Sequence, residues 1–111
     1  MAGKFVLRKT AKGEFLFNLK AANGLIILTS PVYTDKESAL NGIKSARKNA
    51  GKKTNFERRM GTNGEPCFVL KAANEQIIGR SEMYASTTNM EKGIASIRRN
   101  APLARLEDIT P

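Results

Sequence analysis

The sequence predicts an α+β fold: two tandem β-β-β-α repeats with pseudo-twofold symmetry, their antiparallel sheets packed with two helices. Three observations predict it. The stretch Phe17-Asn18-Leu19-Lys20-Ala21-Ala22-Asn23 returns as Phe68-Val69-Leu70-Lys71-Ala72-Ala73-Asn74. That spacing holds without a gap from 4–50 against 55–101, and about two in five of the aligned positions are identical. Within each copy, apolar residues first alternate and then recur every three or four positions, so strands precede one helix. A repeat of about 50 residues is marginally stable alone. The two therefore share one core in a single domain spanning 1–111, with a short basic linker at 51–54 and a tail at 102–111.

Residues 4–9 place Phe5 and Leu7 on one side of a first strand. Thr10-Ala11-Lys12-Gly13 and its counterpart Gly61-Thr62-Asn63-Gly64 form turns, and the shared glycine predicts a positive φ. In the second strand Phe15, Phe17 and Leu19 alternate with Glu14, Asn18 and Lys20, a half-buried pattern. Pro66 replaces Phe15 in the second copy, so that strand begins at the proline or lies at an edge. Asn23-Gly24 between apolar runs predicts a type I′ hairpin. The copy reads Asn74-Glu75, and glutamate is penalised at positive φ, which predicts a different geometry there. The third strands are Leu25-Ile26-Ile27-Leu28 and Gln76-Ile77-Ile78-Gly79.

Capping residues follow. Thr34 with Glu37 fits a capping box, Asp35 is the rival cap, and Ser86 is the counterpart of Asp35. Ala39, Ile43, Ala46 and Ala50 recur at helical spacing, as do Met90, Ile94, Ile97 and Ala101, so each helix lays one narrow apolar stripe on a sheet. Asn49 and Asn100 sit where a left-handed C-cap is expected. Gly42 and Gly93 fall inside the helices beside the stripe, where glycine costs roughly 0.5–1 kcal/mol relative to alanine; its presence in both copies predicts a close backbone approach. Pro102 stops the second helix, and Leu103, Leu106 and Ile109 follow in the tail.

The pattern of Gly-Glu, Phe-x-Leu-Lys-Ala-Ala-Asn, Ile-Ile, Ser-x-x-Tyr and Gly-Ile in both copies resembles the YegP-like family of small bacterial proteins, over residues 4–101. The resemblance implies a tandem (or dimeric) three-strand-plus-helix fold in which first strands are exchanged between repeats to complete the sheets. It implies no biochemical activity and no functional residues.

Composition narrows the chemistry. There is no histidine, which removes the commonest general base near neutral pH and the commonest metal ligand. Cys67 is the only cysteine, so an intrachain disulfide is excluded, and its counterpart Leu16 marks it as an apolar strand residue. The glycines make no phosphate-binding loop pattern. Glu14 and Glu65 are the one acidic pair kept between copies. An acid–base pair across the pseudo-axis is weaker than the alternative, a cross-strand ion pair of each with Arg8 or Arg59, worth about 0.2–1 kcal/mol. Tyr33 and Tyr84, also kept, are expected to pack rather than to stack a base. The expectation is a protein without catalytic activity, cofactor or metal. No apolar run approaches the ~20 residues of a membrane span, and a cytoplasmic, monomeric protein is expected.

The net charge of +9 favours phosphate or acidic partners. Lys44, Arg47, Lys48, Lys52, Lys53, Arg58 and Arg59 stand against the single acid Glu57 between residues 44 and 59, and Arg98 and Arg99 occupy the matching end of the second helix. Cations at helix C-termini complement the macrodipole, which accounts for a few of these nine residues but not for all. They are the candidate nucleic-acid contacts, of a sequence-independent and salt-sensitive kind. The alternative is a protein-interaction or structural module without nucleic-acid binding. Aromatics are only 6% of the chain and mostly assigned to the core, so a single-strand stacking platform has little support.

Overall fold

Alternating apolar residues and two amphipathic stripes produce seven strands and two helices in a computed structural model that describes residues 3–111. In chain order these are β1 (Lys4–Lys9), β2 (Phe15–Lys20), β3 (Ile26–Thr29), α1 (Lys36–Asn49), β4 (Phe56–Met60), β5 (Pro66–Lys71), β6 (Ile77–Arg80), α2 (Thr87–Asn100) and β7 (Arg105–Asp108). The α+β architecture with two repeats holds, and β5 begins at Pro66, which accepts from the Tyr84 N–H (2.9 Å) but lacks the N–H that its counterpart Phe15 donates to Tyr33 O (2.8 Å).

Two expectations are corrected. The strands form one sheet, in the order β4-β5-β6-β3-β2-β1-β7, rather than separate sheets. The repeats meet at β3 and β6, antiparallel, with Thr29 opposite its own counterpart Arg80, so the pseudo-twofold axis passes between these strands. Nor are first strands exchanged: β1 pairs with β2 and β4 with β5, each inside its own repeat. The tail supplies β7, which lies parallel to β1 and is the one parallel pairing in the sheet.

Both helices cover one face. Phe5, Leu7, Phe17, Leu19, Phe56, Phe68 and Leu70 point to it and are buried against Ala39, Ile43, Ala46, Met90, Ile94 and Ile97. Edge-on ring pairs recur in each half, Phe5–Phe17 at 5.8 Å and Phe56–Phe68 at 5.6 Å. The helix-free face is not simply solvated. Asn18 is buried there, taking a bond from Arg8 Nε (3.1 Å) and giving one to Thr29 Oγ1 (2.9 Å), which corrects its reading as an exposed strand residue. Val6, Leu16 and Val69 are buried on the same face, away from both helices.

The turns show which residues needed their identity. Gly13 and Gly64 have φ of 80° and 81°, as expected. At the second hairpins the Gly24 N–H donates to Ala21 O (2.9 Å) and the Glu75 N–H to Ala72 O (3.0 Å), and in each only the last residue has positive φ. This is a type I turn closed by a left-handed bulge residue, not a type I′ turn. Glu75 adopts φ 72°, so both hairpins share one geometry despite the glutamate. Asn23 and Asn74 accept from the N–H two residues on, fixing the same turn twice.

The helix ends are likewise matched. Asp35, not Thr34, caps α1 by accepting from the Ser38 N–H (2.8 Å), and Ser86 caps α2 through the Asn89 N–H (3.1 Å). The left-handed C-caps are absent. Ala50 and Ala101 remain right-handed, and Asn49 and Asn100 bond back through their side-chain amides to Ser45 O and Ser96 O.

Candidate nucleic-acid interface

Of the nine basic residues singled out by sequence, the fold divides the set. Arg59 lies on the helix-free face, opposite Cys67, and is ion-paired to Glu57, which also receives Lys71 Nζ (2.7 Å). The bonds from Lys71 and Arg59 hold the Glu57 carboxyl below the usual carboxylate range. Arg58 points the other way and makes a forked pair with Glu91 of α2, Nη2 to Oε1 at 2.8 Å, which lowers the Glu91 pKa and raises that of Arg58. Arg47 is drawn inward: its guanidinium lies over the Phe5 ring at 5.2 Å and donates twice to Ala104 O (3.2 and 2.9 Å). These three arginines are engaged in holding the fold together.

The other six are exposed, and Arg98 and Arg99 meet the segment that bears Lys52 and Lys53. Arg98, the repeat counterpart of Arg47, donates to Gly51 O (3.3 Å) just beyond the end of α1. Each helix thus ties its last turn to the chain that leaves the other helix. Gly51, Ala95, Arg98 and Arg99 line a shallow groove of about 380 Å³, with Lys52 and Lys53 continuing the same segment and Lys44 and Lys48 exposed along α1. None of Lys44, Lys48, Lys52, Lys53, Arg98 and Arg99 has a carboxylate at ion-pair distance among the described residues.

A second set was missed by sequence reasoning. Strand register puts Lys4, Arg8, Lys20, Lys71, Arg80 and Arg105 on the helix-free face with Arg59. Glu57 and Glu107 lie among them, and Glu107 takes the Lys4 ammonium at 2.6 Å, so this face is partly neutralised. Charge density along the sequence does not reveal it, because alternation spaces these cations apart; the signal is that Arg8/Arg59 and Lys20/Lys71 are kept between repeats at strand positions of one parity.

The remaining candidates have structural partners. Tyr33 stacks on Phe17 (6.3 Å, 12°) and Tyr84 on Phe68 (6.1 Å, 12°), and burial raises both phenol pKa values, with Glu82 adding to the effect at Tyr84. Each hydroxyl abuts a helix glycine. A Cβ on Gly42 would lie 3.0 Å from Tyr33 Cζ, and one on Gly93 2.7 Å from Tyr84 Cζ, closer still to the hydroxyls. The close approach expected of these glycines is therefore made by a tyrosine. Glu14 and Glu65 do not meet. They open β2 and β5, which run in opposite directions with β3 and β6 between them, so the two carboxyls stand at opposite ends of the sheet. Nor do they pair with Arg8 and Arg59: Arg8 binds Asn18, Arg59 binds Glu57, and Glu65 accepts from Asn63 Nδ2 (2.6 Å).

Comparison with known proteins agrees with this description. Residues 11–57 and 62–108 each match the model described as "Domain of unknown function (DUF1508)". Each matched unit starts before a second strand and runs through the helix into the strand beyond it, so β7 at 105–108 corresponds to residues 54–57, where β4 begins. The chain is similar to UPF0339 protein PA0329 of Pseudomonas aeruginosa, 52% identical over 108 residues covering 97% of this chain and 98% of the relative. It is 47% identical to UPF0339 protein YegP of Escherichia coli K12, covering 99% of this chain and 100% of the relative. The solution NMR structure of E. coli yegP, a protein of unknown function, superposes with a TM-score of 0.94 at 47% identity, covering 99% of this chain and 95% of that one. That of UPF0339 protein SO3888 from Shewanella oneidensis superposes with a TM-score of 0.93 at 43% identity, covering 99% and 93%.

Proposed function

The chain belongs to the DUF1508 family, as two tandem copies of that domain, and on that premise we propose that it is a non-enzymatic binding protein making weak, sequence-independent contact with the phosphate backbone of nucleic acid. One observation carries this reading: Arg98 and Arg99 of α2 are seated against the segment that bears Lys52 and Lys53, Lys44 and Lys48 are exposed on α1, which precedes that segment, and none of the six has a carboxylate at ion-pair distance among the described residues. Unpaired cations gathered on one surface attract phosphate and release its counterions. No helix among the described residues is long and apolar enough to cross a membrane. The protein acts in the cytoplasm as a monomer, and the reading requires neither cofactor nor metal.

The test is fluorescence anisotropy with short labelled duplex DNA, single-stranded DNA and RNA, between about 50 and 200 mM salt. The wild type binds at low salt, and affinity falls steeply, by about 0.9 log unit per log unit of salt for each duplex phosphate contacted. Changing Lys44, Lys48, Lys52, Lys53 and Arg99 to serine weakens binding at least tenfold and flattens the salt slope. Changing Arg8, Lys20 and Arg80 to serine on the helix-free face has the smaller effect. Absence of binding by the folded wild type at low salt ends the reading and leaves the protein-interaction module in its place.

A further inference from the structure

The two outer edges of the sheet are finished differently. β7, beside β1, is four residues long and lies between Pro102 and Pro111. Short edge strands and prolines blunt an edge against further pairing. β4 is the opposite edge; it has no strand beyond it among the described residues and contains no proline. The direction of its main-chain groups follows from the ladder. Phe68, opposite Arg58, turns its N–H and C=O to Ser81 on its far side, taking the Ser81 N–H (2.9 Å) and donating to Ser81 Oγ (2.9 Å). Bonded and non-bonded pairs alternate along an antiparallel ladder, so Phe56, Arg58 and Met60 aim their main-chain groups outward. The Phe56 N–H is taken by Lys53 O, and the other outward groups have no hydrogen-bond partner among the described residues. The Met60 side chain beside them is 64% exposed.

We propose that β4 pairs with β4 of a second copy of this chain, antiparallel about a twofold axis at Arg58, and so joins two chains in one continuous sheet. The outward groups match in that register. Arg58 exchanges both main-chain bonds with Arg58 of the second copy, and each Met60 N–H donates to the Phe56 carbonyl opposite. The side chains select the register. On the helix-free face Glu57 stands opposite Arg59 of the second copy, and Arg59 opposite its Glu57. These are non-hydrogen-bonded pairs, in which side chains approach most closely. Each Glu57, already paired to its own Arg59, gains a second guanidinium. On the helix side Phe56 stands opposite Met60 of the second copy, which covers a methionine that the single chain leaves exposed. The two Arg58 side chains meet at the axis with their carboxylates already on them, each forked on Glu91 of α2 (Nη2 to Oε1, 2.8 Å), so the centre is neutral. Sliding to the next antiparallel register that keeps the outward groups together sets Glu57 against Glu57 or Arg59 against Arg59, and like charges directly opposite are destabilising. The repeats already meet in the same manner, with Thr29 opposite its own counterpart Arg80. β4 has five residues, against the roughly 20–30 a side of a standard interface. The pair is therefore weak, and the dilute chain is the monomer that makes the contact proposed above. Pairing at β4 requires no nucleic acid.

The experiment follows the full-length, ¹⁵N-labelled protein, without nucleic acid, by sedimentation equilibrium and NMR from about 10 μM to about 1 mM, the range in which weak contacts become populated. The expected result is a mass that rises from one chain toward two, with the Arg58 and Met60 amides shifting and exchanging with solvent several-fold more slowly as concentration rises, while β7 is unchanged. Arg59→Glu and Glu57→Arg each weaken pairing about tenfold, because cross-strand pairs of opposite charge become pairs of like charge. Mixed in equal amounts, these two variants pair again, since one presents two glutamates to the two arginines of the other; a general loss of stability does not produce that recovery. Met60→Pro removes an outward N–H that the pairing with β5 does not use, and weakens pairing as well. Three results overturn the proposal: the mass of a single chain at about 1 mM, concentration-dependent shifts that fall on β7 or the helices rather than on β4, or a mixture of the two charge variants that pairs no better than either alone.

Discussion

Between the first half of the molecule, β1–β3 with α1, and the second, β4–β6 with α2, residues kept in place repeatedly prove to have a structural partner. Tyr33 and Tyr84 lie on Phe17 and Phe68 and against Gly42 and Gly93; Ser30 and Ser81 bond to the same strand position; Asn49 and Asn100 fold back on their own helices. Half of the candidate interface is not kept, while Arg98 matches Arg47 and Arg99 matches Lys48. Lys44 aligns with Ala95, Lys52 with Leu103 and Lys53 with Ala104. The strand beside β1 has no equal beside β4 among the described residues. Duplication therefore built the fold, and divergence between the copies built one basic surface and one free edge.

That comparison is broken most severely at the glycines. Gly93→Ala drives a methyl into the Tyr84 ring, and Gly42→Ala meets Tyr33 and Phe17 in the same way. Overpacking costs about 1–3 kcal/mol, offset in part by the better helix propensity of alanine. Urea denaturation is expected to show a clear loss for both, while Lys92→Ala on the exposed side stays within about 0.5 kcal/mol of wild type. Loss at one glycine only would show that the halves are not packed alike.

The hairpins give a smaller effect of opposite sign. Glu75 holds a left-handed φ that its counterpart Gly24 holds freely. Glu75→Gly is expected to stabilise by up to about 1 kcal/mol, and Gly24→Ala to destabilise by a similar amount. Paired thermal melts check both. The smallest effect belongs to the edge. Lys36 and the Thr110 hydroxyl and N–H hold the Asp108 pKa down to about 2, from 3.8. A carboxyl depressed in the folded state stabilises above its unfolded pKa, and that contribution disappears as pH falls through the folded value. Wild type and Asp108→Asn should therefore differ in stability near neutrality and converge between about pH 4 and pH 2.

Much of the fold was legible because its signals are local. The periodicities placed the helices, the shared glycines predicted the positive φ at Gly13 and Gly64, and the paired tyrosines were expected to pack. What was not legible depends on contacts distant in sequence. Nothing near Thr29 announces that it pairs with Arg80, so two sheets were expected where there is one. β7 is short and half exposed, and its place depends on Lys4 and Lys36, far along the chain. Glu57 and Glu91 take the arginines that looked free, because an ion-pair partner is chosen by strand parity and helix placement rather than by spacing. The candidate site was half legible for the same reason: clustering located Lys44 to Lys53, but only the fold joins them to Arg98 and Arg99 and removes Arg47, Arg58 and Arg59.

The most direct measurement is a ¹⁵N NMR titration of the full chain with a short DNA duplex at low salt. The account predicts amide shifts concentrated at Lys44, Lys48, Lys52, Lys53, Arg98 and Arg99, with the helix-free face at Arg8, Lys20 and Arg80 little changed and all shifts reversed by added salt. Shifts centred on the helix-free face, or none in a protein that stays folded, would contradict it.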